Sequence, residues 1–155
     1  MKTIIEKFVS DKNVALIGVS AEKQKFGNAL LQELTKKGYT VYPVHPTLAE
    51  VDGIKCFQDV KALPDNVTNL ILVVNPEVTV QIIPQLKDSP IMRVWMHKGI
   101  GAGSGSLAAI EACKEHGIEV VHGFCPMMFF SQSGIHGFHF WLRKKFGKVP
   151  AEFVN

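Results

Sequence analysis

Little in this chain can staple, cross a membrane or cut a bond by a known local motif. Cysteine is sparse: Cys56, Cys113 and Cys125 are odd in number and form no C-x-x-C pair. They indicate neither a disulfide framework nor a zinc knuckle. Long apolar runs are missing, and no window approaches the ~18 apolar residues of a membrane span. The opening "MKTIIEKFVSDKN" breaks its apolar residues with Glu6 and Asp11, so it has no continuous signal-peptide core. These absences make a reducing cytoplasm the expected location. Charge of one sign is also missing. Seventeen Lys and Arg stand against 14 Asp and Glu, a formal net charge of +3. That is too weak to argue for nucleic acid, though it mildly favours anionic ligands. No nucleophile-elbow motif, H-E-x-x-H or H-x-x-x-H occurs, and no paired carboxylates fall at the expected strand ends. Neither a catalytic residue nor a metal site is assigned. The dinucleotide fingerprint G-x-G-x-x-G is absent as well.

What is present is a regular alternation. The 155 residues suggest one domain, 1–155, and 46% of them are hydrophobic. Thr3–Val9 reads as a short amphipathic helix. Apolar runs at Asn13–Val19, Tyr39–Val44, Asn69–Val74, Ile91–Met96 and Ile118–Phe124 read as buried strands. Between them lie helical patterns over Phe26–Lys37, ended by Gly38, and over Ser106–Gly117. Gly53–Pro64 reads as a short extended piece followed by one helical turn. "EVTVQIIPQLKDS" reads as a helix that Pro84 kinks or stops early. Strands apolar on both faces with helices between them predict an α/β fold, a Rossmann-like doubly wound parallel sheet of about five strands. Residues 134–148 form a separate tail, in which Phe138, Trp141, Leu142 and Phe146 mix with Arg143, Lys144, Lys145 and Lys148. It reads as a helix docked on the body, or as a membrane-surface or partner helix.

In an open parallel sheet, ligands bind beyond the carboxyl ends of the strands. Five segments would share that rim: Gly18–Gly27, Pro43–Pro46, Asn75-Pro76, His97–Gly105 and Cys125-Pro126. In the first, "LIGVSAEKQKFG", Gly18 permits a tight turn and Ser20 offers a hydroxyl. Lys23 and Lys25 bring positive charge, and the helix start near Gly27 presents unpaired amides. This is a phosphate loop, or an ordinary βα loop with solvated lysines. The second strand ends "VYPVHP" without the Asp or Glu that grips the ribose of NAD. Pro43 and Pro46 make an apolar wall there, suited to an adenine or its ribose, or simply end the strand. The glycine-rich "HKGIGAGSGS" offers amides to an anion, or is a loop whose last serine caps the next helix. His45, His97 and Cys125 converge on the rim only if the sheet forms. Cys125 is a reactive thiol or, more commonly for such residues, a buried inert one.

The stretch "ALIGVSAEKQKFGNALLQELTKKGYTVYPVHP" resembles the opening of the CoA-binding domain family. That family includes the N-terminal domains of the succinyl-CoA synthetase α-subunit and of ADP-forming acyl-CoA synthetases. The later "RVWMHKGIG" and "GIEVVHGFCP", with the tail "HGFHFWLRKKFGKVP", are similar to its small standalone branch. The resemblance implies coenzyme A bound across the strand ends. It places the CoA phosphates at Gly18, Val19, Ser20, Lys25, Phe26 and Gly27. It implies an adenine-side wall at Val44 and Pro46, with His45 where the family often has Asn. It implies further contacts at Asn75 and Pro76 and at Met96, His97, Lys98 and Gly99, with His97-Lys98 where Gln is common. The synthetases also use a phosphohistidine domain and an ATP-grasp partner, for which this chain has no room.

The expected function is therefore noncatalytic binding of CoA or an acyl-CoA, with a homo-oligomer or a protein partner compatible with that role. An NAD(P)-linked oxidoreductase is the alternative enzyme reading. An interaction protein acting through the basic aromatic tail is the third.

Overall fold

The computed structural model describes residues 3–99 and 103–130. Helix α1 (Ile4–Ser10) opens on a capping box: Thr3 accepts from the Glu6 amide while the Glu6 carboxylate accepts from the Thr3 amide. There follow β1 (Asn13–Ile17), α2 (Phe26–Lys36) and β2 (Thr40–Val44). A short hairpin, β3 (Glu50–Val51) and β4 (Ile54–Lys55), precedes β5 (Asn69–Leu72) and α3 (Pro76–Ile82). The described chain continues with β6 (Arg93–His97), α4 (Leu107–Glu115), β7 (Glu119–Phe124) and the single turn α5 (Met127–Phe130). The 134–148 tail lies outside the described residues.

Five strands form one sheet in the order β2-β1-β5-β6-β7, with every neighbouring pair parallel. The expected doubly wound α/β architecture is what forms, because alternate side chains of each strand enter opposite cores. On one face Val14, Leu16, Ile71, Trp95 and Val121 pack with Phe8 of α1, Leu30, Leu31 and Leu34 of α2, and Phe129 and Phe130 of α5. On the other, Ala15, Leu70, Leu72, Val94, Met96 and Val120 pack with Ile82, Ala109 and Cys113.

The punctuation of the chain acts as its chemistry dictates. Asn75 caps α3 by accepting from the Val78 amide at 3.0 Å, and Pro76 occupies the first turn, where its missing N–H costs nothing. Pro84 ends the α-helix at Ile82, and the chain tightens into a 3₁₀ segment, Ile83–Asp88. Pro43 is tolerated in β2 because that strand is an edge. Its carbonyl accepts from the Phe57 amide on the outer side, so the N–H it lacks belongs to no ladder with β1. Ser106 caps α4 by accepting from the Ala109 amide at 3.2 Å. The β3–β4 hairpin goes beyond the single extended piece expected. Its turn is Asp52-Gly53, both at positive φ (51° and 77°), and Asp-Gly is the sequence signal for such a hairpin.

The strand end that matters most is anchored by Trp95. Its ring is fully buried among Phe8, Phe129 and Phe130 at centroid distances of 5.5, 5.3 and 5.7 Å. Its Nε1 donates to the Phe124 carbonyl at 3.1 Å, which also accepts from the Lys98 amide at 3.0 Å. Trp95→Phe is therefore expected to cost about 1 kcal/mol in urea unfolding, since Lys98 still satisfies that carbonyl. Trp95→Ala, which empties the site, is expected to cost about 3–5 kcal/mol.

Candidate functional site

The strand order reverses at β1. The chain leaves β1 for β2 on one side and returns to β5 on the other, so a crevice opens between the carboxyl ends of β1 and β5. The first segment beyond β1 fills its edge. Gly18 has φ +130°, and a Cβ there would sit 2.3 Å from the Val73 carbonyl oxygen at the end of β5. A Cβ on Gly27 would sit 2.0 Å from the Gly18 carbonyl oxygen. The start of α2 is thus pressed backbone to backbone onto the end of β1, an approach that side chains at these positions would block.

Asn28, only 1% exposed, locks the loop from inside. Its Oδ1 accepts from the Ser20 amide and its Nδ2 donates to the Ser20 carbonyl, both at 2.8 Å. The Ser20 hydroxyl accepts from the Glu22 amide at 3.1 Å, shaping the outer turn. Lys25 occupies the cap position of α2, yet no side chain caps this helix. The Asn28 amide donates to the Lys25 carbonyl at 3.1 Å, and the Phe26 and Gly27 amides with the positive end of the dipole are left for another acceptor. Lys23 is exposed, and Lys25 meets Glu22 at 3.6 Å in a pair that is more than half exposed on both sides. Such a pair holds little energy and yields readily to a stronger anion.

Across the crevice, His97 at the end of β6 stacks on Phe26 at the start of α2, with centroids 4.5 Å apart and planes 21° apart. Its Nδ1 is buried without a hydrogen-bond partner. Burial first, and the Lys98 charge second, push its pKa below the ordinary 6.5. Behind it the glycine-rich loop is partly built into the structure. Gly103, at φ +77°, brings the chain back against the His97 carbonyl. Ser104, 1% exposed, donates its amide to that carbonyl at 2.7 Å, and its Oγ accepts from the Val74 amide at 3.0 Å. This serine ties the end of β5 to the end of β6. A bulge in β7 lies alongside: Trp95 pairs with Val121 and His97 with Phe124, and Gly123 adopts φ +82°.

The fold thus brings Gly18, Ser20, Phe26, Gly27 and His97 together around one crevice, with Lys23, Lys25, Lys98 and Gly99 exposed at the same rim. Val19 and Met96 are buried beneath it and act as support. At the end of β2, Pro43 and Val44 are buried, whereas Pro46 is exposed. His45 is turned onto its own loop: its Nδ1 accepts from the Thr47 and Leu48 amides at 3.1 and 3.0 Å. That commits Nδ1 as an acceptor and puts the proton of the neutral ring on Nε2. The Asn75 oxygen is likewise committed to the α3 cap. Cys125 is half-buried, and burial raises its pKa against two backbone hydrogen bonds from Met127 and Met128 that lower it. It is no activated thiolate. Among the described residues, no group of three His, Cys, Asp or Glu side chains is placed to hold a metal.

Asn28 and Ser104 were not legible as site residues. Each is a single polar residue between apolar or glycine-rich neighbours, and only its burial shows what it ties together.

Two predictions follow from this geometry. Alanine is intrinsically about 1 kcal/mol better than glycine in a helix, yet Gly27→Ala is expected to destabilise by about 1–3 kcal/mol, because its methyl must push α2 off Gly18. A urea midpoint above the parent's contradicts this. Because folding depresses the His97 pKa, stability is full above about pH 6.5 and falls as pH drops through the lower folded value. His97→Phe keeps a ring against Phe26, so its urea midpoint is expected to fall less than the parent's between about pH 7.5 and pH 5.5.

Comparison with known proteins gives a consistent result. Residues 12–131 match the family described as CoA binding domain. The chain is 28% identical over 127 residues to acetate–CoA ligase [ADP-forming] I of Archaeoglobus fulgidus, covering 78% of this chain and 18% of that one. It is 23% identical over 152 residues to the α-subunit of acetate–CoA ligase [ADP-forming] II of Pyrococcus furiosus, covering 92% of this chain and 33% of that one. The chain thus spans a third or less of these curated relatives. Among solved structures, a conserved hypothetical protein of Pyrococcus furiosus superposes with TM-score 0.69 at 31% identity, covering 75% of this chain and 97% of that one. A hypothetical protein of Pyrococcus horikoshii superposes with TM-score 0.74 at 26% identity, covering 85% and 96%.

Proposed function

The chain belongs to the CoA-binding domain family, and from that premise we propose that it binds coenzyme A, free or acylated, across the carboxyl ends of β2, β1, β5 and β6. The observation that carries the reading is the contact of Gly27 with the Gly18 carbonyl. It sets an uncapped helix start at the reversal of strand order, where a phosphate gains both amides and dipole. CoA carries a pyrophosphate and a 3′-phosphate. Lys23 and Lys25 supply charge for them around Gly18, Ser20 and Gly27, and Phe26 and His97 form the opposite wall.

The adenine side belongs at the end of β2, beside Val44, His45 and Pro46. No carboxylate stands at that strand end to hold the ribose of NAD. Asn75, Pro76, Lys98 and Gly99 complete the rim along which the pantetheine arm runs. The chain's own part is binding rather than catalysis. His97, the imidazole of this rim, stacks on a phenyl ring. In this reading the CoA module senses or carries the thioester, or serves an assembly with other chains. A cytoplasmic setting suits both the ligand and the unpaired thiols of Cys56 and Cys113.

Calorimetric titration with CoA, NADH and NADPH tests the reading. Saturable CoA binding without a response to NADH or NADPH is expected. NADPH binding with no CoA response would overturn it. Lys25→Ala is expected to weaken CoA about tenfold, the low end for a charge-assisted phosphate contact because this lysine is exposed. Parental affinity in that variant would remove Lys25 from the phosphate loop.

A further inference from the structure

A second concavity opens beside His97. It has a volume of about 270 Å³ and lies between β6, β7 and the start of α4. His97, Lys98, Gly105, Leu107, Ile110 and His122 line it. His97 is thus shared: one face of its ring stacks on Phe26 of the proposed phosphate loop, and the residue also walls this cavity. His97 and Lys98 thus belong both to the rim described above and to this cavity.

The walls are built for an apolar guest. Leu107 is 80% exposed at the first position of α4. Ile110 stands one turn further on, packed partly into the core. A large aliphatic side chain in water beside a cavity is where burial by a ligand yields most. Gly105 adds a sharper indication. A Cβ there would meet Met96 at 3.6 Å and His122 at 3.8 Å, which is ordinary contact. Its backbone is also not in the left-handed region. Crowding or positive φ accounts for Gly18, Gly27 and Gly103, and neither accounts for Gly105. What glycine does at this position is leave the cavity open.

We propose that this cavity receives the acyl chain of a short straight-chain acyl-CoA, so that the protein distinguishes the thioester from free CoA. The inference rests on the CoA reading above. It follows the direction of the ligand: with the phosphates at α2 and the pantetheine crossing β5 and β6, the thioester reaches His97 and the acyl group the space beyond it. The volume bounds the class from above, lying just below the ~300–1,000 Å³ typical of ligand pockets. A chain of a few carbons fits, and a long fatty chain does not.

The test is calorimetry of the full chain with CoA, acetyl-CoA and butanoyl-CoA. Burying a methylene tightens binding about fourfold, so butanoyl-CoA is expected to bind about 15-fold more tightly than acetyl-CoA. Gly105→Val, which narrows the cavity, is expected to reduce that difference severalfold while leaving free CoA bound as in the parent. Leu107→Ser changes only an exposed residue at a helix start and guards against a misfolded first variant. It is expected to reduce the difference severalfold. Equal affinities for the three ligands in the parent overturn the proposal, as does an undiminished preference in both variants. A parallel loss of CoA and butanoyl-CoA in both variants assigns the cavity to the pantetheine arm and overturns it too. A parent that binds none of the three instead refutes the CoA reading itself.

Discussion

Everything at this rim depends on one contact between two stretches of backbone. Gly27 lies so close to the Gly18 carbonyl that no side chain fits between them. The contact fixes where α2 begins, and therefore where its unpaired amides and positive dipole end point. Asn28 then fastens Ser20 from beneath through both ends of its amide. The phosphate site proposed here, made this way, needs few charged side chains. That agrees with a loop whose lysines are exposed and loosely paired.

The same constraint reaches across the sheet. Phe26 can stack on His97 only because α2 starts where it does. Ser104 holds the end of β5 against the end of β6, and the Trp95 indole with the Lys98 amide holds β6 against Phe124. Three strand ends are thereby fixed relative to one another. An extended ligand lying over them meets a preorganised surface, which lowers the ordering cost of binding. His97, its pKa lowered by burial, belongs to both parts of that surface: it stacks on Phe26 and it lines the cavity beside α4.

The glycines illustrate how differently one residue type can be used. At Gly18 and Gly27 the lack of a side chain allows close approach, and at Gly38 and Gly117 it allows the left-handed turn after a helix. At Gly105 neither applies, and the residue leaves room. Sequence alone does not separate these uses, because each depends on what stands opposite the missing Cβ.

Much of the architecture was written locally. Apolar runs broken at Gly, Pro and Asn determined five parallel strands and their helices, because strands buried on both faces must be apolar throughout and because Pro84 cannot continue a helix. The Asp52-Gly53 hairpin had its signal too. The gathering of Gly18, Ser20, Gly27 and His97 at one rim followed from parallel strands all ending on the same side. What only the tertiary structure decided was which polar atoms are already spent. His45 and Asn75 turn inward to their own backbones, Asn28 locks the loop after β1, Ser104 ties the end of β5 to the end of β6, and His97 leaves a nitrogen buried without a partner. Those outcomes depend on atoms brought close by folding from 8 to 30 residues away in the chain or on turns only a few ångströms across, and neither periodicity nor composition carries that information.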